Sequence, residues 1–265
     1  MSVKTGPAGR RFVQVEVLVA GTPEQVWQAI ATGPGLSSWF VPTEIDEVDG
    51  KPVALRMNFG PGMGPPSPIT VWQPPHSFTA QGEGWGGSPP IASEWSVEAR
   101  GDGMCLVRVI NSLVADSDQW DHQLEGTEQG WPGFFRTLRL YLAHFPGQRA
   151  AILQLMVPVA GTEDAAWQTL CDALTLSTLR EGQPWRAPAA APALGGVAEH
   201  ASTEPNDVLL RLDVPGPGVA AFGTFGHGGQ TMVSFNAYFY GDQADDIVAR
   251  EQPRWQAWMT ERFAQ

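Results

Sequence analysis

The residue types that most often do chemistry are thinly spread in this chain. Its five histidines are His76, His122, His144, His200 and His227. No two stand four apart, the spacing that sets two metal ligands on one helix face. His76 falls in a turn, His144 at a helix end where a cation suits the dipole, and His227 in the glycine turn at 226–229. Asp121 and His122, just ahead of a long helix, are the remaining acid–base candidates, and they read most simply as a solvated loop pair. Cys105 and Cys171 are too few and too far apart for a disulfide framework or a zinc site. Cys105 alternates with Val107 and Val109, so it reads as packed rather than nucleophilic. No serine is framed as a nucleophile elbow. Residues 82–87 spell G-x-G-x-x-G, but Ser88, Pro89 and Pro90 follow, where a dinucleotide fingerprint needs a helix. Residues 60–64 lack the Gly-Lys-Ser/Thr of a phosphate loop. No catalytic residue, no metal site and no cofactor are expected.

Aromatic side chains are the one strong signal. Trp27, Trp39, Phe40, Phe59, Trp72, Phe78, Trp95, Trp131, Phe134 and Phe135 all lie in the first half. If their elements face one another, they either fill a core or, with Met57 and Leu138, line a cavity for a hydrophobic small molecule. Arg56, Glu94 and Glu128 are the polar groups that could orient such a ligand. Alternation sets Arg56 and Glu94 on the face opposite Met57 and Trp95, which counts against them.

The elements that must position these residues come as a repeat. Residues 14–28 and 154–168 align without a gap at a constant offset of 140, with eight of 15 positions identical, Trp27 and Trp167 among them. Each copy starts with the period-2 pattern of a half-buried strand. Gly21 or Gly161 then gives a tight turn, and Thr22 or Thr162 an N-cap. Gln25 completes a capping box with Thr22, and Pro23 opens the helix. Glu163 and Asp164 favour the second helix N-terminus through its dipole.

Alternating runs at 53–59, 69–72, 77–81, 94–100 and 104–111 predict strands, with a glycine loop at 60–68 and a hairpin turn at 101–103. Trp131, Phe134, Phe135, Leu138, Leu142 and Phe145 form the stripe of one long helix, ended by Pro146 and Gly147. The second half follows the same order. Its corner spans 153–179, an irregular stretch runs from 184 to 196, and strands are predicted at 208–214, 219–225 and 232–240. A final helix over about 245–263 carries Pro253 as a kink. The halves divide near 146–149, giving domains at 1–148 and 149–265.

Strand, helix, antiparallel strands and a long closing helix are the order of a helix-grip domain. The expected class is α+β: two tandem helix-grip domains, each a curved antiparallel sheet wrapped on its C-terminal helix, the second shorter and degenerate. The first half also resembles the SRPBCC (START-like, birch-pollen-allergen-like) superfamily, in particular the domain shared with activators of the heat shock protein 90 ATPase. The resemblance rests on residues 19–27, on 36–40, on the turn at 74–78, and on Gly130-Trp131, which resembles the Gly-Trp that opens the family's last helix. It implies a sheet-and-helix cavity and three functions. The favoured one is non-catalytic binding of a hydrophobic small molecule in the first domain. The alternatives are a polyketide cyclase/aromatase-like enzyme and a co-chaperone-like interaction module.

Sixteen Lys plus Arg against 28 Asp plus Glu leave a net charge of −12, which argues against nucleic acid as a partner. The longest informative apolar run is residues 150–161, too short for a membrane span of about 20 residues. These features point to the reducing cytoplasm, with a protein partner or homodimer left open.

Overall fold

The computed structural model describes residues 3–59, 64–84, 87–203, 206–227 and 229–263. The chain divides between Gly147 and Gln148 into two compact units. The first contains β1 (Lys4–Thr5), β2 (Arg10–Ala20), α1 (Pro23–Ile30), α2 (Gly33–Ser37), β3 (Thr43–Val48), β4 (Lys51–Met57), β5 (Ser67–Gln73), β6 (Ser77–Gly82), β7 (Ile91–Gly101), β8 (Met104–Val114) and α3 (Asp121–His144). The second contains β9 (Ala150–Val159), α4 (Glu163–Leu174), β10 (Pro184–Arg186), β11 (Gly195–Thr203), β12 (Asn206–Val214), β13 (Gly218–His227), β14 (Gln230–Tyr240) and α5 (Ala244–Phe263).

Both sheets are antiparallel meanders with the same wiring. The first runs β1-β2-β8-β7-β6-β5-β4-β3 and the second β10-β11-β12-β13-β14-β9. In each, the opening strand lies beside the strand that precedes the closing helix: β2 beside β8, β9 beside β14. The second meander is one strand shorter and lacks a partner for β1. These are two tandem helix-grip domains, the second reduced.

The repeated corner forms for local reasons. Thr22 Oγ1 accepts from the Gln25 amide at 3.3 Å while Gln25 Oε1 accepts from the Thr22 amide at 2.9 Å. Thr162 Oγ1 accepts from the Ala165 amide at 3.2 Å. Gly21 and Gly161 hold φ of 128° and 95°, a region open mainly to glycine. Five residues after each cap, Trp27 and Trp167 are buried on the inner helix faces.

Three stretches depart from the expectations. The closing helix α3 starts at Asp121, ten residues before the aromatic stripe, so Asp121 and His122 are helical rather than loop. Gly126, Gly130 and Pro132 lower the local helix propensity and mask that start. β3, sequence TEIDEV, is an edge strand rich in acids that are poor strand formers, and its pattern gives no strand signal. The stretch at 184–196, read as irregular, holds β10 and the start of β11. Register shifts at Gly195/Gly196 and Ala198/His200 break the two-residue period there. α5 runs through Pro253 as one helix. Of the loops read at 60–68 and 82–87, residues 60–63, Trp85 and Gly86 lie outside the described residues, as does the side chain of His227.

Candidate functional site: an aromatic network in the first unit

All ten aromatic residues singled out in the first half join one network of ring contacts. Phe78 and Trp95, directly paired across β6 and β7, stack at 5.7 Å between centroids. Trp27 from α1 meets Trp72 edge-on at 5.1 Å and Phe78 at 5.9 Å. Trp95 contacts Trp39 at 6.4 Å and Trp131 of α3 at 5.1 Å. Phe40 stacks on Trp131 at 5.3 Å, meets Phe134 edge-on at 4.5 Å and reaches Phe59 at 5.6 Å. Phe135 closes on Trp131 at 5.3 Å. Edge-to-face and offset pairs at these distances are the favourable arrangements of aromatic rings.

The network is sealed in its middle and open at one end. Trp27, Trp39, Phe40, Phe78, Trp95, Trp131, Phe135 and Leu138 are buried. Met57, Trp72 and Phe134 are half-buried, and Phe59 is 52% exposed. The open end therefore comprises Phe59 and Phe134, both against buried Phe40, with Met57 two residues before Phe59. Beside Trp27, a surface notch of about 310 Å³ is lined by Glu24, Trp27, Gln28, Pro74 and Pro75.

Several charged groups of this unit are tied up in ion pairs. Arg56 donates to Asp46 at 2.8 Å across β3 and β4, and Glu94 pairs with Arg10. Both candidates are more than a third exposed, as their alternation requires. Glu128 is half-buried on α3. Arg11 holds Asp121 through two nitrogens, and this pushes the Asp121 carboxyl below the usual carboxylate range. Burial raises the Cys105 thiol, which lies 3.3 Å from the Gly21 carbonyl oxygen, so the thiol stays neutral and packed.

Sequence reasoning missed two polar residues on the inner face. Cys105, Val107, Val109, Asn111 and Leu113 are the buried, inward positions of β8, and Asn111 is polar among them. Asn111 Oδ1 accepts from Trp131 Nε1 at 2.8 Å, and Asn111 Nδ2 donates to Ser93 Oγ at 2.7 Å. Ser93 precedes Trp95 by two on β7 and is half-buried. The signal was available as a polar interruption of an otherwise apolar alternation.

The second unit is built differently inside. Phe222 and Phe235 stack at 4.5 Å, and Trp255 of α5 packs on them at 5.8 and 4.5 Å. Trp258, Trp185 and the aliphatic side chains of β9, β12 and β14 complete a contiguous core. Among the described residues of the chain, no cluster of three or more His, Cys, Asp or Glu is arranged to hold a metal. No helix there is long and apolar enough to cross a membrane.

An antiparallel sheet closed by a long helix, with an aromatic network between them, is the helix-grip architecture. Residues 11–140 match the family described as polyketide cyclase / dehydrase and lipid transport, and the first unit is a domain of this SRPBCC type. The chain is similar to several solved structures. The di-domain ARO/CYC BexL from the BE-7585A biosynthetic pathway is 12% identical, with 96% of this chain and 99% of that one covered at a TM-score of 0.45. DynU16, from the dynemicin biosynthetic locus, is 18% identical over 94% and 96%, at 0.40. The Aha1 dimer from Colwellia psychrerythraea is 19% identical over 49% and 95%, at 0.36. No curated protein sequence matches the chain.

Proposed function

We propose that the first unit binds a hydrophobic small molecule, without transforming it, at the open end of its aromatic network. One observation carries the reading. The rings pass without a break from fully buried Trp39 and Trp95 to exposed Phe59, so a flat apolar molecule can extend the stack from Phe40, Phe59 and Phe134. The family description, which includes lipid transport, is in keeping with an apolar ligand. Burying roughly 300 Å² of apolar surface at about 25 cal/mol per Å² supplies about 7–8 kcal/mol before association costs. Affinity at the micromolar level or weaker is therefore expected.

The same family description includes cyclases and dehydrases, which keeps an enzyme as the second reading. Its requirement is an acid or base beside the ligand. One titration separates the readings. An environment-sensitive apolar dye should bind in the low micromolar range or weaker and be displaced by flat hydrophobic molecules. Met57→Trp, which narrows the open end, should abolish dye binding while leaving the unfolding midpoint in place. Dye binding unchanged by Met57→Trp overturns the proposal. Conversion of an added polyketide-like substrate, lost on removing one polar side chain, replaces it with the enzyme.

A further inference from the structure

The hydrogen-bond direction inside the aromatic network is fixed by chemistry, and it leaves one donor unused. An indole N–H can only donate, so the Asn111 atom facing Trp131 Nε1 at 2.8 Å must be the amide oxygen. The Asn111 amide nitrogen is then turned to Ser93, 2.7 Å away. A carboxamide nitrogen cannot accept, so Ser93 Oγ is the acceptor of that bond. The relay Trp131→Asn111→Ser93 thus runs one way and ends on a hydroxyl whose own proton has no acceptor among the described residues. Asn111 is 4% exposed, and Ser93 is half-buried between inward-facing Ile91 and Trp95. The relay therefore places a donor on the inner face of β7, two residues from Trp95 of the aromatic network. Positive and negative side chains nearby are drawn into ion pairs elsewhere: Arg56 with Asp46, Glu94 with Arg10, Arg11 with Asp121. An anionic ligand here would have to compete with carboxylates for the cations of those pairs, which is unfavourable.

We propose that Ser93 is the specificity-determining donor of this site and that its ligand class is uncharged, flat and apolar with one hydrogen-bond acceptor, such as a ketone carbonyl. The assignment rests on the binding reading given above. Trp131 and Asn111 are positioning residues: they orient the Ser93 hydroxyl and leave its proton for the ligand. The site accepts an acceptor-bearing ring system and rejects both its hydrocarbon parent, by one missing hydrogen bond, and its carboxylate derivative, by competition for cations already paired.

The test uses three probes of one skeleton, fluorene, fluorenone and a fluorenone carboxylate, titrated against the full chain by tryptophan quenching and calorimetry. Fluorenone should bind about tenfold more tightly than fluorene, the worth of one net hydrogen bond. The carboxylate should bind more weakly than fluorenone. Ser93→Ala should bring fluorenone down to the affinity of fluorene without changing fluorene itself. Ser93→Thr, which keeps a hydroxyl able to accept from Asn111 and donate onward, should restore the difference and guards against loss of folding in the alanine variant. Equal binding of fluorene and fluorenone, or a Ser93→Ala effect on both alike, overturns the role of Ser93 while leaving apolar binding standing. Tighter binding of the carboxylate overturns the neutral ligand class. Failure of all three probes to bind removes the underlying binding reading, and this inference with it.

Discussion

Arg11 near the start of β2 grips Asp121, the first residue of α3, through two guanidinium nitrogens across 110 residues of sequence. The two side chains are 18% and 13% exposed. Beside them, Val13, Ile91, Leu113 and Leu124 form a small apolar cluster with Trp120 packed against it. The pair thus fastens the N-terminal end of the closing helix to the sheet at a point where the helix's own sequence is weak, ahead of Gly126 and Gly130. The negative charge also suits the first turn of a helix.

This arrangement sets a pH dependence with a definite sign. The hydrogen bond from Arg11 holds the folded Asp121 carboxyl below its unfolded value. Its contribution to stability is therefore complete above the unfolded carboxylate range, about 4, and is lost as pH falls through the lower folded value. Asp121→Asn should lower the urea midpoint at pH 7, and the gap to the parent protein should narrow at pH 3 and below. Midpoints at pH 7, 5 and 3 check this. A gap that is the same at all three would show that the carboxylate charge contributes nothing.

The two adjacent phenylalanines of α3 should separate burial from lining. Phe135 is 3% exposed and packs on Trp131, while Phe134 is half-buried at the open end against Phe40. Phe135→Ala should cost about 3–5 kcal/mol, the usual range for a filled site. Phe134→Ala should cost less than about half of that, because fewer contacts are lost. Denaturant unfolding of the two variants measures both. Equal costs would mean that Phe134 is as tightly packed as Phe135 and that the network is closed at that end.

What the sequence revealed follows from how local each signal is. Thr22, Gln25 and Thr162 act within one turn, so their caps could be read directly. The stripe from Trp131 to Phe145 needs only a helical period; all of its members but half-buried Phe134 are buried, and Thr137, Leu140 and Tyr141 are buried beside them. The start of α3 could not be seen, because its anchor is Arg11, a long-range partner, and its own residues include two glycines. β11 was hidden because a bulge at Glu199 shifts the alternation on either side of it. The aromatic site was legible as a list but not as a network. Whether Phe78 lies beside Trp95 depends on strand register, and whether Phe40 reaches Trp131 depends on how α3 is rotated. Asn111 was visible as an inward polar residue. Its meaning needed Trp131, 20 residues on, to supply the donor.

The repeated corner yields the last prediction, because its two copies keep the same hydrogen bond in different surroundings. Thr22 accepts from the Gln25 amide at 3.3 Å and Thr162 from the Ala165 amide at 3.2 Å. In the first copy Gln25 reaches back to the Thr22 amide, a bond that does not involve the threonine side chain and so survives its loss. Thr22→Ala and Thr162→Ala should therefore each remove one cap bond and cost about 1 kcal/mol, while Thr→Ser at either site should cost less, since serine caps as well as threonine. Gly21→Ala and Gly161→Ala should cost at least as much as the cap changes, because φ of 128° and 95° strains any side chain. Denaturant unfolding of the intact chain reads all six variants. Similar losses at Thr22 and Thr162 would show that both corners still set the entry of a helix against its sheet. A loss at Thr22 with none at Thr162 would show that the second corner keeps the sequence of the repeat without its structural role.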